Sequence, residues 1–183
     1  MNDRSNSALQ GTRFIWAGLL LGLGLGGFFD GIVLHQILQW HHMVSGTHRY
    51  PMTTFAGLKA NTLGDGLFHA ATLLMTLIGL WLLWSATRRP HGPWPTRLLV
   101  GLLLMGWGTF NLVEGVIDHH ILKLHHVRQV SEHKGAWDIA FLFWGAVMLI
   151  GGWGLAKTSE QEMDAMPEAH RLEKSLPGKT PSS

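Results

Sequence analysis

Not one of the 183 residues is cysteine, which removes disulfides, thiolate zinc sites and iron-sulfur clusters from consideration and leaves any metal to nitrogen and oxygen ligands. Charge is scarce too: Asp, Glu, Lys and Arg together make up 14% of the chain, bunched at the ends of apolar runs. A formal net charge of +2, with no basic patch interleaved with aromatics, gives no case for nucleic acid as a partner. The ten-residue alternation of a transmembrane β-barrel is missing as well. What fills the chain instead is four long apolar stretches, which only helices can carry through a bilayer. The length suffices for one compact unit, with no room for a separate catalytic domain beside several spans.

The expected fold is therefore all-α, an integral membrane four-helix bundle. Its spans are read as Phe14 to about Leu34, Ala60 to Trp84, Arg97 to His119 and Trp137 to Ala156. Each has the roughly twenty residues that a hydrocarbon core of about 30 Å requires of a helix. The first run resembles a signal peptide, with Arg13 in front of it, but no small-x-small cleavage site follows and apolar character continues past Asp30. It is read as an uncleaved span whose helix runs on to Met43. Residues 1–13 are then a cytoplasmic amino-terminal segment, 14–156 the membrane domain, and 157–183, polar and containing Pro167, Pro177 and Pro181, a disordered cytoplasmic tail. Lysine and arginine set this orientation: nine lie in the amino end, the middle connection and the tail, against five in the other two loops (Arg49, Lys59, Lys123, Arg128 and Lys134). Trp16, Trp81, Trp84, Trp94 and Trp153 fall at the cytoplasmic boundary of that frame, Trp40 and Trp137 at the outer one. Gly18, Gly22 and Gly26, four apart, allow another helix to come close to the first span.

One pattern occurs twice. Asp30-Gly31, two β-branched residues, His35, Ile37-Leu38 and His41-His42 recur at a constant offset of 84 as Glu114-Gly115, two β-branched residues, His119, Ile121-Leu122 and His125-His126. The chain thus reads as a duplicated helical pair. The repeat also concentrates chemistry at one depth, because every span places an acid near its outer end: Asp30, Asp65, Glu114 with Asp118, and Asp138. A carboxylate at membrane depth costs about 2.5 kcal/mol or more on insertion scales, so several at one level require partners, cations or protons.

Histidines accompany the acids. Asn61, Asp65 and His69 follow one another every four residues on a shared helical face, and His35 with His42 and His119 with His126 form seven-residue stripes. Carboxylates and imidazoles facing inward from several helices are how dinuclear metal sites are built in bundles. The soluble Glu-x-x-His motif is not present, since Asp65 precedes His69 by four and Glu114 precedes His119 by five. The expected ligands are Asp30, His35, His42, Asp65, His69, Glu114, Asp118, His119 and His126. Hard oxygens with imidazole suit iron, zinc or manganese, and the outer pairs His41-His42 and His125-His126 also suit copper(II). The competing structural reading is that the acids cap helices and pair with His or Lys59, holding the bundle together by polar bonds. His48 and His133 are weaker candidates, and His91 and His170 read as surface residues.

The segments GFFDGIVLHQILQWHH, NTLGDGLFH and NLVEGVIDHHILKLHHVR resemble those of a bacterial family of predicted multi-pass membrane proteins, domain of unknown function 2243. The resemblance spans about Phe14 to Ala156 and implies a four-helix protein of the bacterial cytoplasmic membrane without supplying a reaction. It also implies a connection to respiratory oxidase assembly and to partners there. The residues leave several functions open: a metal site near the extracytoplasmic face with a redox or metal-handling role, a di-metal oxidoreductase acting on a lipid-soluble substrate, a proton path, a haem held by two histidines, or a purely structural polar bundle. The lipid bilayer is the one partner all of them share; homo-oligomers through the glycine-rich first helix are a further expectation.

Overall fold

The computed structural model describes residues 2–88 and 95–175, with side chains from 9 to 159. The readings made for Arg89, His91, Trp94 and the chain from 176 onward lie outside the described residues, as does the side chain of His170. All regular structure among the described residues is helical: α1 (Asn2–Phe28) running directly into a π-helix, π1 (Phe29–Ile37), then α2 (Phe55–Thr87), α3 (Thr96–Glu114) running into π2 (Gly115–Ile121), and α4 (Lys134–Ser175). Four helical stretches there are long and apolar enough to cross a membrane, Leu9–Ile37, Phe55–Thr87, Thr96–Ile121 and Lys134–Ser159.

Helix boundaries follow local chemistry. α2 starts five residues before the expected Ala60 because Thr54, in extended conformation, accepts a hydrogen bond from Gly57 N at 3.1 Å and caps the free amides. α3 begins just after Pro95, whose fixed φ of −64° suits a helix entrance. α4 continues beyond Ala156 to Ser175. Extending a formed helix needs no new nucleus, and Glu, Gln, Met, Ala and Leu in that stretch are good helix formers. The helix expected to reach Met43 instead ends at Ile37. Its partner π2 ends at Ile121, and two residues past each end the backbone turns left-handed, at Gln39 (φ 50°) and Lys123 (φ 51°).

The helices pack in the order α2, α1, α3, α4: α1 touches α2 and α3, and α3 touches α4. The most apolar parts of α1 and α3 are 56% and 44% buried, against 11% and 22% for α2 and α4, so α1 and α3 form the centre while α2 and α4 face outward. The central contact is backbone on backbone. A methyl group added at Gly22 would overlap the Leu103 carbonyl oxygen and come within 2.9 Å of Gly106 Cα, and one at Gly106 would meet the Leu19 carbonyl and Gly22 Cα in the same way. Gly22 and Gly106, like Leu19 and Leu103, are 84 apart, so the α1–α3 crossing lies on the two-fold relation between the repeats. Here the glycine stripe serves packing within the chain, as small residues do in membrane bundles.

The apolar core, Phe14, Ala86, Leu98, Leu102 and Ala156, sits at the end of the bundle where the chain enters α1. At the other end the interior is polar. Asp30, His35, His41, Asp65, Glu114, His119, His125 and Asp138 are all at most 7% exposed there.

Candidate metal centre

The π-helical geometry brings the first acid–histidine pairs together. An α-helix places i+4 above i, whereas the wider π turn bonds i to i+5 and brings residues five apart onto one face. Asp30 and His35 are five apart in or at π1, and Glu114 and His119 five apart at π2. His35 Nε2 consequently lies 3.0 Å from Asp30 Oδ2, and His119 Nε2 3.0 Å from Glu114 Oε1. π-Bulges are uncommon and frequently mark functional sites.

The left-handed turns at Gln39 and Lys123 deliver the next pair. Leu38 N bonds to Val33 O and Leu122 N to Ile117 O, both at 2.8 Å, closing the helix ends. After the turn the chain folds back over the bundle, which buries His41 and His125 at 2% and 1% exposure. Each Nδ1–H then donates to a carbonyl of the opposite repeat, His41 to Val127 O at 2.8 Å and His125 to Met43 O at 3.1 Å. Since a carbonyl only accepts, both rings carry the Nδ1 proton; the Nε2 of His41 then faces inward without a partner, and that of His125 lies at hydrogen-bond distance, 3.0 Å, from Glu114 Oε1. Their rings stack, 4.4 Å between centroids and 8° between planes. Burial pushes His41 below its ordinary value, with contacts to Asp30 opposing and His125 and His35 reinforcing the shift.

A second ring of carboxylates orients the first. Asp65 on α2 takes hydrogen bonds from His35 Nδ1 at 2.9 Å, His42 Nδ1 at 2.6 Å and Met43 N at 2.9 Å. Asp138 on α4 repeats this with His126 Nδ1 at 2.7 Å and Val127 N at 2.9 Å, while His119 Nδ1 stands 3.7 Å away. Asp65 and Asp138 correspond at an offset of 73, as do Phe68 and Phe141, which pack on His35 and His119. The duplication therefore includes all four helices, with a shorter loop in the second copy. Carboxylate–imidazole pairs of this kind fix ring orientation and raise basicity around bound metals.

Six side chains converge within these shells: Asp30, His35 and His41 from the first repeat, Glu114, His119 and His125 from the second. Three overlapping triads, His35 with His41 and His125, Glu114 with His119 and His125, and Asp30 with His41 and Glu114, each offer ligand atoms lying within 4.8 Å of one another. Buried atoms here lack hydrogen-bond partners, namely Asp30 Oδ1, Glu114 Oε2 and the Nε2 atoms of His35, His41 and His119. The 3.0 Å approaches of His35 to Asp30 and of His119 to Glu114 are close but not aligned as hydrogen bonds. Two atoms bonded to one ion at about 2.0–2.2 Å sit at such a separation, lone pairs aimed at a common point and not at each other.

Of the residues expected from sequence, the structure brings Asp30, His35, Glu114 and His119 into this cluster and puts Asp65 directly behind it. His42 and His126 stand in the outer ring, their side chains 18% and 35% exposed. His69 is apart: its Nδ1 bonds to the carbonyl of Asp65 at 2.7 Å and its ring lies over Gly31, where the second repeat has Leu142 over Gly115. Asp118, half-buried, occupies the place of Leu34 in the repeat and joins none of the triads. Asn61 works as a loop clamp, accepting from Val44 N and donating to Tyr50 O and Gly57 O. His48 and His133 are exposed. His41 was legible only as half of its His-His pair, whereas helical spacing also aligned His125 with Asn111, Glu114 and Asp118 on one stripe; what turns both inward is the helix end before them.

Four membrane-crossing helices with a polar interior at one end define a small integral membrane protein. The chain belongs to the family described as "Predicted membrane protein (DUF2243)", whose profile matches residues 17–159. No curated protein and no solved structure matches it.

Proposed function

We propose that this chain is a metalloprotein of the bacterial cytoplasmic membrane, with a resident dinuclear transition-metal centre near the extracytoplasmic face that serves a redox role. The observation that carries this reading is the set of inward-facing lone pairs. His41 carries its proton on Nδ1 and turns an unpartnered Nε2 toward the carboxylate cluster, while His125, also bonded through Nδ1, brings its Nε2 to 3.0 Å from Glu114 Oε1, a contact that needs a proton or a cation between the two atoms. Metal ions satisfy all six groups at once, and the two-fold relation of the repeats supplies three ligands to each of two ions.

Four imidazoles and two carboxylates without sulfur suit iron, manganese or zinc, with copper(II) next. A redox role favours iron, manganese or copper over zinc, which does not change its charge. Burial of every ligand and the orienting second ring support a resident centre over one that takes up and hands on its ion. The detergent-purified protein is expected to hold about two metal ions per chain by elemental analysis, and Glu114→Gln, which halves the charge at the heart of the site, to lose most of them. Metal-free protein from a metal-replete preparation, with Glu114→Gln unchanged in stability, would return the cluster to polar glue.

The orientation rests on the distribution of lysine and arginine. A reporter active only in the cytoplasm, fused after Ser183, is expected to be active; activity from a periplasm-specific reporter at the same point would place the centre on the inner side.

A further inference from the structure

The two-fold relation is broken by a cavity. About 510 Å³ lies open between α1 with π1 on one side and α3 with α4 on the other, and it reaches Asp30. Six aromatic residues line it: Phe29, Trp40, Trp107, Trp137, Phe141 and Trp144. Its size falls in the range of about 300–1,000 Å³ usual for small-molecule pockets. The equivalent space beside α2 is filled. Gly27, which corresponds to Asn111 in the repeat, is covered there by Thr72 and Phe110, and Gly31 by Phe68 and His69. Leu23 stands in the first repeat where the cavity has Trp107.

Both the shape and the chemistry of the lining are informative. At the loop end the cavity is shut by Trp40 against Trp137, 5.2 Å between centroids, with the Arg128 guanidinium 5.3 and 5.4 Å from the two rings. Its open rim carries Phe29, Leu38 and Trp144, exposed by 45%, 44% and 56% and, for Phe29 and Trp144, within the membrane-crossing stretches. Entry is therefore lateral, from lipid. Inside, polarity is confined to one corner: the Asp30 carboxylate, already part of the cluster, and Asn111, 3% exposed, whose side-chain amide has no protein hydrogen bond among the described residues. A donor waiting in an aromatic slot selects a flat ring with an accepting oxygen, because rings stack and an unpaired buried amide is costly. A saturated acyl chain would leave the amide unpaired.

We propose that this cavity binds a lipid-soluble, uncharged planar ring bearing carbonyl oxygens, of the benzoquinone type, with a carbonyl accepting from Asn111 and the alkyl tail leaving past Phe29 and Trp144. As a substrate site it rests on the metal reading above; as a binding site it stands alone. The test uses the full-length protein in nanodiscs titrated with a decyl-substituted benzoquinone, read by tryptophan fluorescence, since Trp40, Trp107, Trp137 and Trp144 surround the slot. The expected result is saturable quenching that n-decanol at equal concentration does not reverse. Ala140 also lines the cavity; Ala140→Phe, which narrows the slot, and Asn111→Leu, which removes the donor, are each expected to weaken binding about tenfold or more while elemental analysis shows unchanged metal content. Glu114→Gln separates the two proposals: it is expected to lose metal and keep the quenching. Quenching that is linear in the quinone and identical in wild type and Ala140→Phe overturns the proposal, as does equal displacement by decanol, which would mark a groove for ordinary acyl chains.

Discussion

Replacing His41 with alanine is expected to reduce metal affinity by at least about 100-fold, whereas the same change at its neighbour His42 should cost about tenfold, the lower end of what outer partners of a metal ligand contribute. His41 is buried with Nε2 turned inward and no partner for it, while His42 spends its Nδ1 on Asp65 and is part-exposed. His125→Ala and His126→Ala should repeat the contrast in the second copy. His69→Ala and Asp118→Asn should leave metal content unchanged, because neither side chain enters the cluster. Elemental analysis after dialysis gives the stoichiometries. Thermal unfolding adds an independent reading: a ligand at a hundred times its Kd stabilises by about 2.7 kcal/mol, so added metal should raise the Tm of wild type and of His42→Ala but not of His41→Ala. Equal losses at His41 and His42 would mean that the pair acts as a unit at the surface and that the buried arrangement is not the site.

The reason those two neighbours were hard to tell apart is physical. Periodicity is informative only while the helix lasts, and the seven-residue stripe from His35 to His42 assumed helix through Met43. The chain leaves helical geometry after Ile37 and passes through a left-handed Gln39, so the residue six positions from His35 and not the one seven away is turned inward. Nothing in the composition of Ile37-Leu38-Gln39-Trp40 announces that turn, since Gln in the left-handed region is uncommon and the sequence offers no glycine there. The five-residue spacing of Asp30 to His35 and Glu114 to His119 was equally opaque under α-helical rules and becomes a shared face only in a π-helix. By contrast the spans, the depth of the acids and the duplication were legible, because each depends on hydropathy or on the repeat itself, which tertiary structure does not alter. Asp138 was visible as an acid at that depth, but its partnership with His126 needed the fold, since the offset of 73 between Asp65 and Asp138 differs from the 84 that relates the histidines.

The duplication also explains why the centre and the α1–α3 crossing should fail together. Each repeat contributes three of the candidate ligands, and no covalent tie but the chain itself sets the distance between the halves; that distance is fixed by how closely α1 approaches α3. At the crossing, Gly22 and Gly106 leave no room for a methyl group, and the atoms that would be struck are backbone, which cannot swing aside as a side chain can. Gly22→Ala is thus expected to destabilise by about 2 kcal/mol, despite alanine's better helix propensity, and to lower the Tm by roughly 4–8 °C. Gly66→Ala provides the opposite sign within the same protein: a Cβ there meets nothing within 4 Å, so relief of glycine's conformational entropy should stabilise by about 0.5–1 kcal/mol. Thermal unfolding of both variants in one detergent, followed by far-ultraviolet circular dichroism, compares them directly. Gly22→Ala should in addition bind metal more weakly than wild type, although residue 22 lies two helical turns from Asp30, because spreading α1 from α3 pulls His41 and Asp30 away from Glu114 and His125. A Gly22→Ala protein that unfolds like wild type and retains full metal would show that the helices tolerate separation and that the loops crossing between the repeats, Gly46 N to Leu124 O and Gln129 N to Trp40 O, hold the centre on their own.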